Sequence, residues 1–219
     1  NYDHTQTFSA IVGGRGIGKS FGRLKLMLDR NIKFIYLRRT QTQVDMIKND
    51  DMNPFKALLD VLGDNYAVAN KKINKNITAC YRAVANSDGI LEAAGAPIGY
   101  LMALSTVANI RGFDASDVDC LIYDEFIGEK HEKPISSEGL AFLNAIETIS
   151  RNRELKGHKP LKVFCLSNTN DLVNAIFIEL KLVTVVEKMI KEGKDYRSIK
   201  DRGVSIYLLH DSPISRQKA

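Results

Sequence analysis

Two short groups of residues in this chain have the types and spacing that handle phosphate. The first is Gly13-Gly14-Arg15-Gly16-Ile17-Gly18-Lys19-Ser20, a G-x-x-x-x-G-K-[ST] pattern. Its glycines let the backbone curl so that successive N–H groups point inward at an anion, and the helix that follows presents its positive dipole end to the same charge. Lys19 is placed to reach the terminal phosphates of a nucleotide, and Ser20 to offer a hydroxyl to Mg²⁺. The second group is Asp124-Glu125, which ends the apolar run Val118-Asp119-Cys120-Leu121-Ile122-Tyr123. A carboxylate at the end of a buried strand fits the residue that holds Mg²⁺ opposite Ser20, often through a coordinated water. Glu125, one position on, fits a group that orients an attacking water and accepts its proton. Phosphate-loop kinases activate a substrate hydroxyl instead, so the added glutamate points to hydrolysis.

Phosphoryl transfer also needs positive charge whose strongest contact develops in the transition state. Four arginines are candidates: Arg15 inside the loop, Arg111 before the carboxylate strand, and Arg151 and Arg153 after a helical segment. Arg15 suits contact with the γ-phosphate of its own subunit; Arg111 and Arg151 suit action across a subunit boundary. For any one of them alone, a surface ion pair is the commoner role. Asn168, following the apolar run Lys162 to Leu166, suits a γ-phosphate sensor that couples hydrolysis to movement, or equally a strand-end Asx turn.

These residues need a sheet to position them. Phe8 to Val12 reads as the strand feeding the phosphate loop, Ser20 to Arg30 as a helix ended by Asn31, and Lys33 to Leu37 as the next strand. That strand-loop-helix-strand order builds parallel sheets. Arg38-Arg39 follows it, a basic pair of a kind usually solvated, with a phosphate or DNA role as the alternative. Gln43 to Leu62 reads as helix broken at Asn53-Pro54. Tyr66 to Tyr100 alternates in short runs with Asp88-Gly89 in a turn, as antiparallel hairpins do; Lys71, Lys72, Lys75 and Arg82 there suit a DNA-tracking face or a solvated one. Ile98 to Leu104 reads as a further strand, Leu140 to Ile149 as a helix, Val173 to Lys191 as helix in pieces, Gly193 to Gly203 as charged and linker-like, and Val204 to Leu209 as a last strand.

Composition narrows the class. With 219 residues, 44% hydrophobic and 26% charged, the chain has the make-up of one sizeable α/β globular domain. No apolar run approaches the ~20 residues of a membrane helix, and the polar start lacks a signal-peptide pattern, so an intracellular protein is expected. The net charge of +5 suits a nucleic-acid partner without requiring one. Cys80, Cys120 and Cys165 form no C-x-x-C pair, and His4, His131, His158 and His210 show no metal-ligand spacing.

Gly14 to Ser20, Phe34-Ile35-Tyr36-Leu37-Arg38-Arg39, Asp124-Glu125-Phe126-Ile127, Arg151-Asn152-Arg153-Glu154 and Cys165-Leu166-Ser167-Asn168 together resemble the phi29-type DNA encapsidation ATPases of small tailed phages, motors related to terminase large subunits. The resemblance implies a P-loop NTPase of the additional-strand, catalytic-glutamate (ASCE) type: a mostly parallel sheet flanked by helices, with a small antiparallel hairpin region. It implies ATP and Mg²⁺ as ligands, and a homo-oligomeric ring that drives double-stranded DNA through a phage portal into an empty capsid. A packaging RNA is a candidate further partner. The expected place is the host cytoplasm, transiently at the portal vertex. Arg151 becomes the expected trans-acting arginine finger, with Arg111 and Lys130 at positions where the family places basic residues between subunits. Ser167 and Asn168 become the expected coupling pair. Residues 1–192 then form the ATPase domain, and 193–219 a linker-like segment and last strand leading towards a C-terminal domain that this chain lacks. The alternatives are a helicase or AAA+-like motor with the same site chemistry, a small-molecule kinase, and an ATP-dependent ring-assembly module with little turnover.

Overall fold

The computed structural model describes residues 6–48, 52–110, 113–128, 132, 134–151, 153–168 and 172–209, with backbone alone at 108–110 and 154. Nine strands form one sheet: β1 (Phe8–Gly13), β2 (Phe34–Arg38), β3 (Val68–Lys72), β4 (Thr78–Ala85), β5 (Leu91–Ala103), β6 (Cys120–Asp124), β7 (Lys162–Ser167), β8 (Tyr196–Ile199) and β9 (Val204–Leu209). Their spatial order is β3-β4-β5-β2-β6-β7-β1-β9-β8. The six from β5 to β9 in that order are parallel to their neighbours; β3, β4 and β8 join antiparallel at the two edges.

The near-continuous apolar runs of the central strands follow from burial on both faces. One face carries Ile11, Phe34, Tyr36, Ile122 and Phe164 under α1 (Lys19–Asp29), α2 (Gln41–Ile47) and α3 (Lys56–Leu62). The opposite face carries Val12, Leu37, Leu121, Tyr123 and Cys165 under α4 (Glu138–Ser150), α5 (Ala175–Glu179) and α6 (Val183–Lys191). Helix boundaries follow local chemistry. Thr40 and Gln43 form a reciprocal capping box that starts α2, and Asn31, with φ 51°, turns the chain away after α1.

Two parts depart from the sequence expectation. The stretch 193–203, linker-like by its charge, contributes β8, which pairs with β9, and β9 lies parallel against β1. Its exposed edge position explains the polar composition. The expected strand Ile98 to Leu104 is the inner half of a longer strand, β5. Leu91–Ala94 and Gly99–Leu101 both pair antiparallel with β4, and Gly99–Ala103 also pair in parallel with β2 on the other side. Gly95, with φ 72°, and Pro97, which has no N–H to give to a ladder, fall between the two paired halves.

A parallel block places all its carboxyl ends at one edge. The ends of β1, β2, β6 and β7 therefore converge, and they carry Gly13, Arg38, Asp124 and Ser167.

Candidate nucleotide site at the carboxyl edge

The phosphate loop leaves β1 at Gly13 and enters α1 at Lys19, with Gly16 (φ 75°) and Gly18 (φ 82°) in the left-handed region that a side chain resists. Arg15, Gly16, Ile17, Gly18, Lys19 and Ser20 line one wall of a cleft of about 460 Å³; Asp124, Glu125, Ser167 and Asn168 line the other. Every residue expected in the hydrolytic half-site except Gly13 and Gly14 thus borders this cleft. Those two act from behind it, because their carbonyls accept from Lys19 Nζ at 2.8 and 2.7 Å. Lys19 Nζ also donates to Asn168 Oδ1 at 3.2 Å, joining the loop to the end of β7. Burial holds the Lys19 ammonium below its ordinary pKa, partly offset by Asp124 and Glu125.

Asp124 is 6% exposed and is held from three sides. Its Oδ1 accepts from Ser20 Oγ at 2.9 Å. Its Oδ2 accepts from the buried Tyr36 hydroxyl and from Arg38 Nη1, the latter at 3.1 Å. Arg38 Nη2 continues to Glu125 Oε2 at 2.6 Å. Ser20 and Asp124 fit a Mg²⁺ site of the kind that takes one or two protein oxygens and completes its shell with phosphate oxygens and water. No group of three or more His, Cys, Asp or Glu with metal-holding geometry occurs among the described residues.

Glu125 adopts φ 54°, a left-handed backbone that costs a non-glycine residue roughly 1 kcal/mol. That turn ends the strand alternation and leaves the Glu125 side chain half-exposed at the cleft while Phe126 and Ile127 return to the core. The Phe126 and Ile127 amides donate to Leu166 O and Ser167 Oγ, each at 3.3 Å. Ser167 therefore fixes the turn that presents Glu125. Burial pushes the Glu125 carboxyl above its usual pKa; Arg38 pulls it the other way and Asp124 adds to the rise.

Arg38 and Arg39 are not the solvated pair that their composition suggests. Consecutive strand residues point to opposite faces, so Arg38 joins the carboxylates and Arg39, 4% exposed, goes to the other side. There Arg39 binds Glu138 in a forked pair at 2.8 and 3.0 Å and also meets Glu132. Tyr123 Oη donates to the same Glu138 at 2.9 Å. Tyr36 is the site residue that sequence reasoning missed, and Arg38, for which the sequence allows a solvated role or a phosphate or DNA role, instead holds the two carboxylates. The available signal was period two: both share a face with Asp124 on the neighbouring strand.

The remaining arginines separate. Arg153 is 1% exposed; its guanidinium donates to the carbonyls of Ser116, Val118 and Lys159 and to Asp119 Oδ1 at 2.9 Å. These partners precede the amino ends of β6 and β7, so Arg153 is a structural clamp at the sheet edge opposite the cleft, a correction to its candidacy. Arg151 ends α4, is exposed, and lines a different groove of about 1170 Å³ with Thr40, Asp114 and Glu147. It does not border the cleft of its own chain. Arg111 and Lys130 lie outside the described residues.

Residues 91–199 match the podovirus DNA encapsidation protein (Gp16) family. The DNA packaging proteins of Bacillus phages PZA and phi29 are each 30% identical over 193 residues, covering 86% of this chain and 50% of theirs. That of Bacillus phage B103 is 29% identical over 199 residues, covering 89% and 53%. The chain thus spans about half the length of the curated relatives it matches. Among solved structures, the N-terminal domain of the phi29 DNA packaging ATPase superimposes with TM-score 0.64 at 24% identity, over 95% of this chain and 92% of that one. The Phi-28 gp11 DNA packaging motor gives 0.68 at 23%, over 96% and 58%. Sequence kinship and fold agree, and the chain belongs to the podovirus DNA encapsidation protein family.

Proposed function

We propose that this chain is the ATP-hydrolysing part of a phage DNA-packaging motor. The observation that carries this reading is the convergence of Lys19 and Ser20 with Asp124 and Glu125 on one cleft at the carboxyl edge of the sheet. The placing of β7 between β1 and β6 supports the ASCE assignment, since a strand is inserted between the phosphate-loop strand and the carboxylate strand.

ATP binds with its β- and γ-phosphates along the loop amides of residues 14–19. Lys19 exchanges the Gly13 and Gly14 carbonyls for phosphate oxygens, and Asn168, bonded to it, follows that movement. Ser20 and Asp124 would hold Mg²⁺, which would supply charge neutralisation to the phosphates. Tyr36 and Arg38 keep Asp124 Oδ2 engaged, so that Oδ1 stays directed at Ser20. Glu125 orients a water in line with the γ-phosphorus and takes its proton as the P–O bond to the leaving diphosphate breaks. Its raised pKa brings its basicity closer to neutral pH. Arg15 contributes charge from the same loop. Arg151, placed on a separate groove, acts as the finger for a neighbouring subunit of a homo-oligomeric ring.

The relatives' names supply DNA packaging; by extension this chain's partners are double-stranded DNA, the portal and, as a further candidate, a packaging RNA, with work done in the host cytoplasm at the capsid vertex. Among the described residues no helix is long and apolar enough to cross a membrane. The test is Mg²⁺-dependent ATP hydrolysis by the full-length protein assembled on portal and DNA, with Lys19→Ala as control. DNA-stimulated turnover lost in Lys19→Ala supports the reading. Tight ATP binding with negligible turnover in the assembled motor replaces it with the ring-assembly module.

A further inference from the structure

The ends of β2 and β6 are tied on both faces of the sheet, and only the front tie borders the cleft. The backbone ladder between these strands stops at Leu37 and Tyr123. Past it, Arg38 still pairs with Ala103 of β5 and Asp124 with Leu166 of β7, so each end is held outward but not to the other. On the front, Arg38 bridges Asp124 and Glu125. On the back, the residues next to that pair, Arg39 and Tyr123, converge on one carboxylate. Glu138 Oε1 accepts from Arg39 Nε at 2.8 Å and from Tyr123 Oη at 2.9 Å, and its Oε2 accepts from Arg39 Nη2 at 3.0 Å. All three residues are buried, and burial keeps the Tyr123 hydroxyl protonated as a donor. Glu138 is itself a fixed point. It is the first residue of α4, where the helix dipole favours its charge. The next residue, Gly139, sits so close to α5 that a Cβ there would lie 2.6 Å from Glu179 Cβ and 2.7 Å from the Ala175 carbonyl oxygen. The chain leaving Glu125 closes over the same group, since Arg39 also pairs with Glu132 and lies against Gly128.

We propose that Glu138 is a positioning residue for hydrolysis: through Arg39 and Tyr123 it fixes the spacing of the β2 and β6 ends, so that Arg38 reaches Asp124 and Glu125 at once. The inference rests on the hydrolytic reading above and extends it to a carboxylate on the far face of the sheet that touches no substrate. Backbone pairing does not set this spacing beyond Leu37 and Tyr123, so side chains must. The front contacts, at 3.1 and 2.6 Å, leave little slack, because hydrogen bonds weaken quickly beyond their normal length. A misplacement of about 1 Å at a reacting centre can cost on the order of 10²-fold in rate. Glu138 thus acts on Glu125 through Arg38, from behind the sheet.

The test is a double-mutant cycle on DNA-stimulated turnover of the full-length motor assembled on portal and DNA. Tyr123→Phe removes one donor to Glu138 and keeps the ring that stacks on Phe142 with centroids 5.2 Å apart. Glu138→Gln keeps the shape and removes the charge. In the otherwise wild-type protein, kcat is expected to fall about threefold or more in Tyr123→Phe and about tenfold or more in Glu138→Gln, with KM for ATP within about twofold. In an Arg38→Ala background the same changes are expected to lower kcat by less than about twofold, because the contact they protect is already gone. A carboxylate that served stability alone would reduce the amount of folded motor and so scale both backgrounds alike. Equal fold losses in the two backgrounds therefore overturn the proposal, as does unchanged turnover in Tyr123→Phe. If Glu138→Gln does not assemble, Tyr123→Phe decides alone. A wild-type motor without DNA-stimulated turnover removes the hydrolytic reading itself, whereas an active motor with equal losses in both backgrounds removes only the rear clamp.

Discussion

Arg38 holds Glu125: its Nη2 donates to Glu125 Oε2 at 2.6 Å while Nη1 of the same guanidinium donates to Asp124 Oδ2 at 3.1 Å. One side chain on β2 thus sets the position of the proposed base and of the proposed Mg²⁺ ligand together. Its charge also lowers the Glu125 pKa against the upward push of burial.

Removing Arg38 therefore has a signed consequence. Glu125 works as a base only when ionised, so turnover falls as pH drops through its pKa. In Arg38→Ala that pKa rises further, and the acid limb of the kcat–pH profile moves to higher pH. Turnover at neutral pH falls by about tenfold or more, a modest share of what a positioned base contributes. Arg38→Lys keeps a cation but loses the fork, so its limb moves less. A limb that stays in place in Arg38→Ala removes Arg38 from control of Glu125.

Arg153 and Arg151 stand two residues apart and are expected to behave oppositely. Arg153→Met leaves the Ser116, Val118 and Lys159 carbonyls short of a donor in a buried site, and is expected to cost roughly 3 kcal/mol in denaturant unfolding. Arg151→Ala, at an exposed helix end, is expected to change stability by no more than about 0.5 kcal/mol. Its effect falls on turnover: in mixed rings, an Arg151→Ala subunit silences the site of the neighbour it would serve and leaves its own site active. Loss confined to the mutated subunit's own site contradicts the trans role.

Gly128 makes a third point of control. A Cβ there lies 2.3 Å from Arg39 Nη1 and 2.5 Å from its Cζ, so even alanine must displace a buried guanidinium from Glu138. Gly128→Ala is expected to destabilise by about 1–3 kcal/mol through overpacking and a loosened ion pair. Equilibrium unfolding measures this directly, and an unchanged midpoint means that Arg39 has room that the packing does not suggest.

Much of this site was legible because its residues are local in sequence. Gly13 to Ser20 is one continuous turn, and Asp124-Glu125 ends a strand whose apolar run is unmistakable. Their convergence followed from a parallel sheet, whose carboxyl ends share an edge. What was not legible depended on lateral strand order. Arg38 looks solvated until β2 is set beside β6, since only that neighbour brings Asp124 across from it. Arg153 looks like a finger candidate until its helix is seen to return the chain to the opposite edge, where three carbonyls capture it. The 193–203 stretch looks like a linker because an edge strand buries too little to show alternation.

The central claim is that Glu125 performs the hydrolytic step, and Glu125→Gln in the full-length assembled motor tests it most directly. The raised pKa means that folding disfavours the ionised carboxylate: the resulting cost is absent below the unfolded pKa and fully present above the folded one. The neutral amide escapes that cost, so the variant should melt no lower than the wild type at neutral pH. Nucleotide binding and turnover measured side by side should then give an ATP affinity within about threefold and a turnover reduced by about 10²–10⁴. Turnover within about twofold of the wild type, with binding intact, would contradict the account.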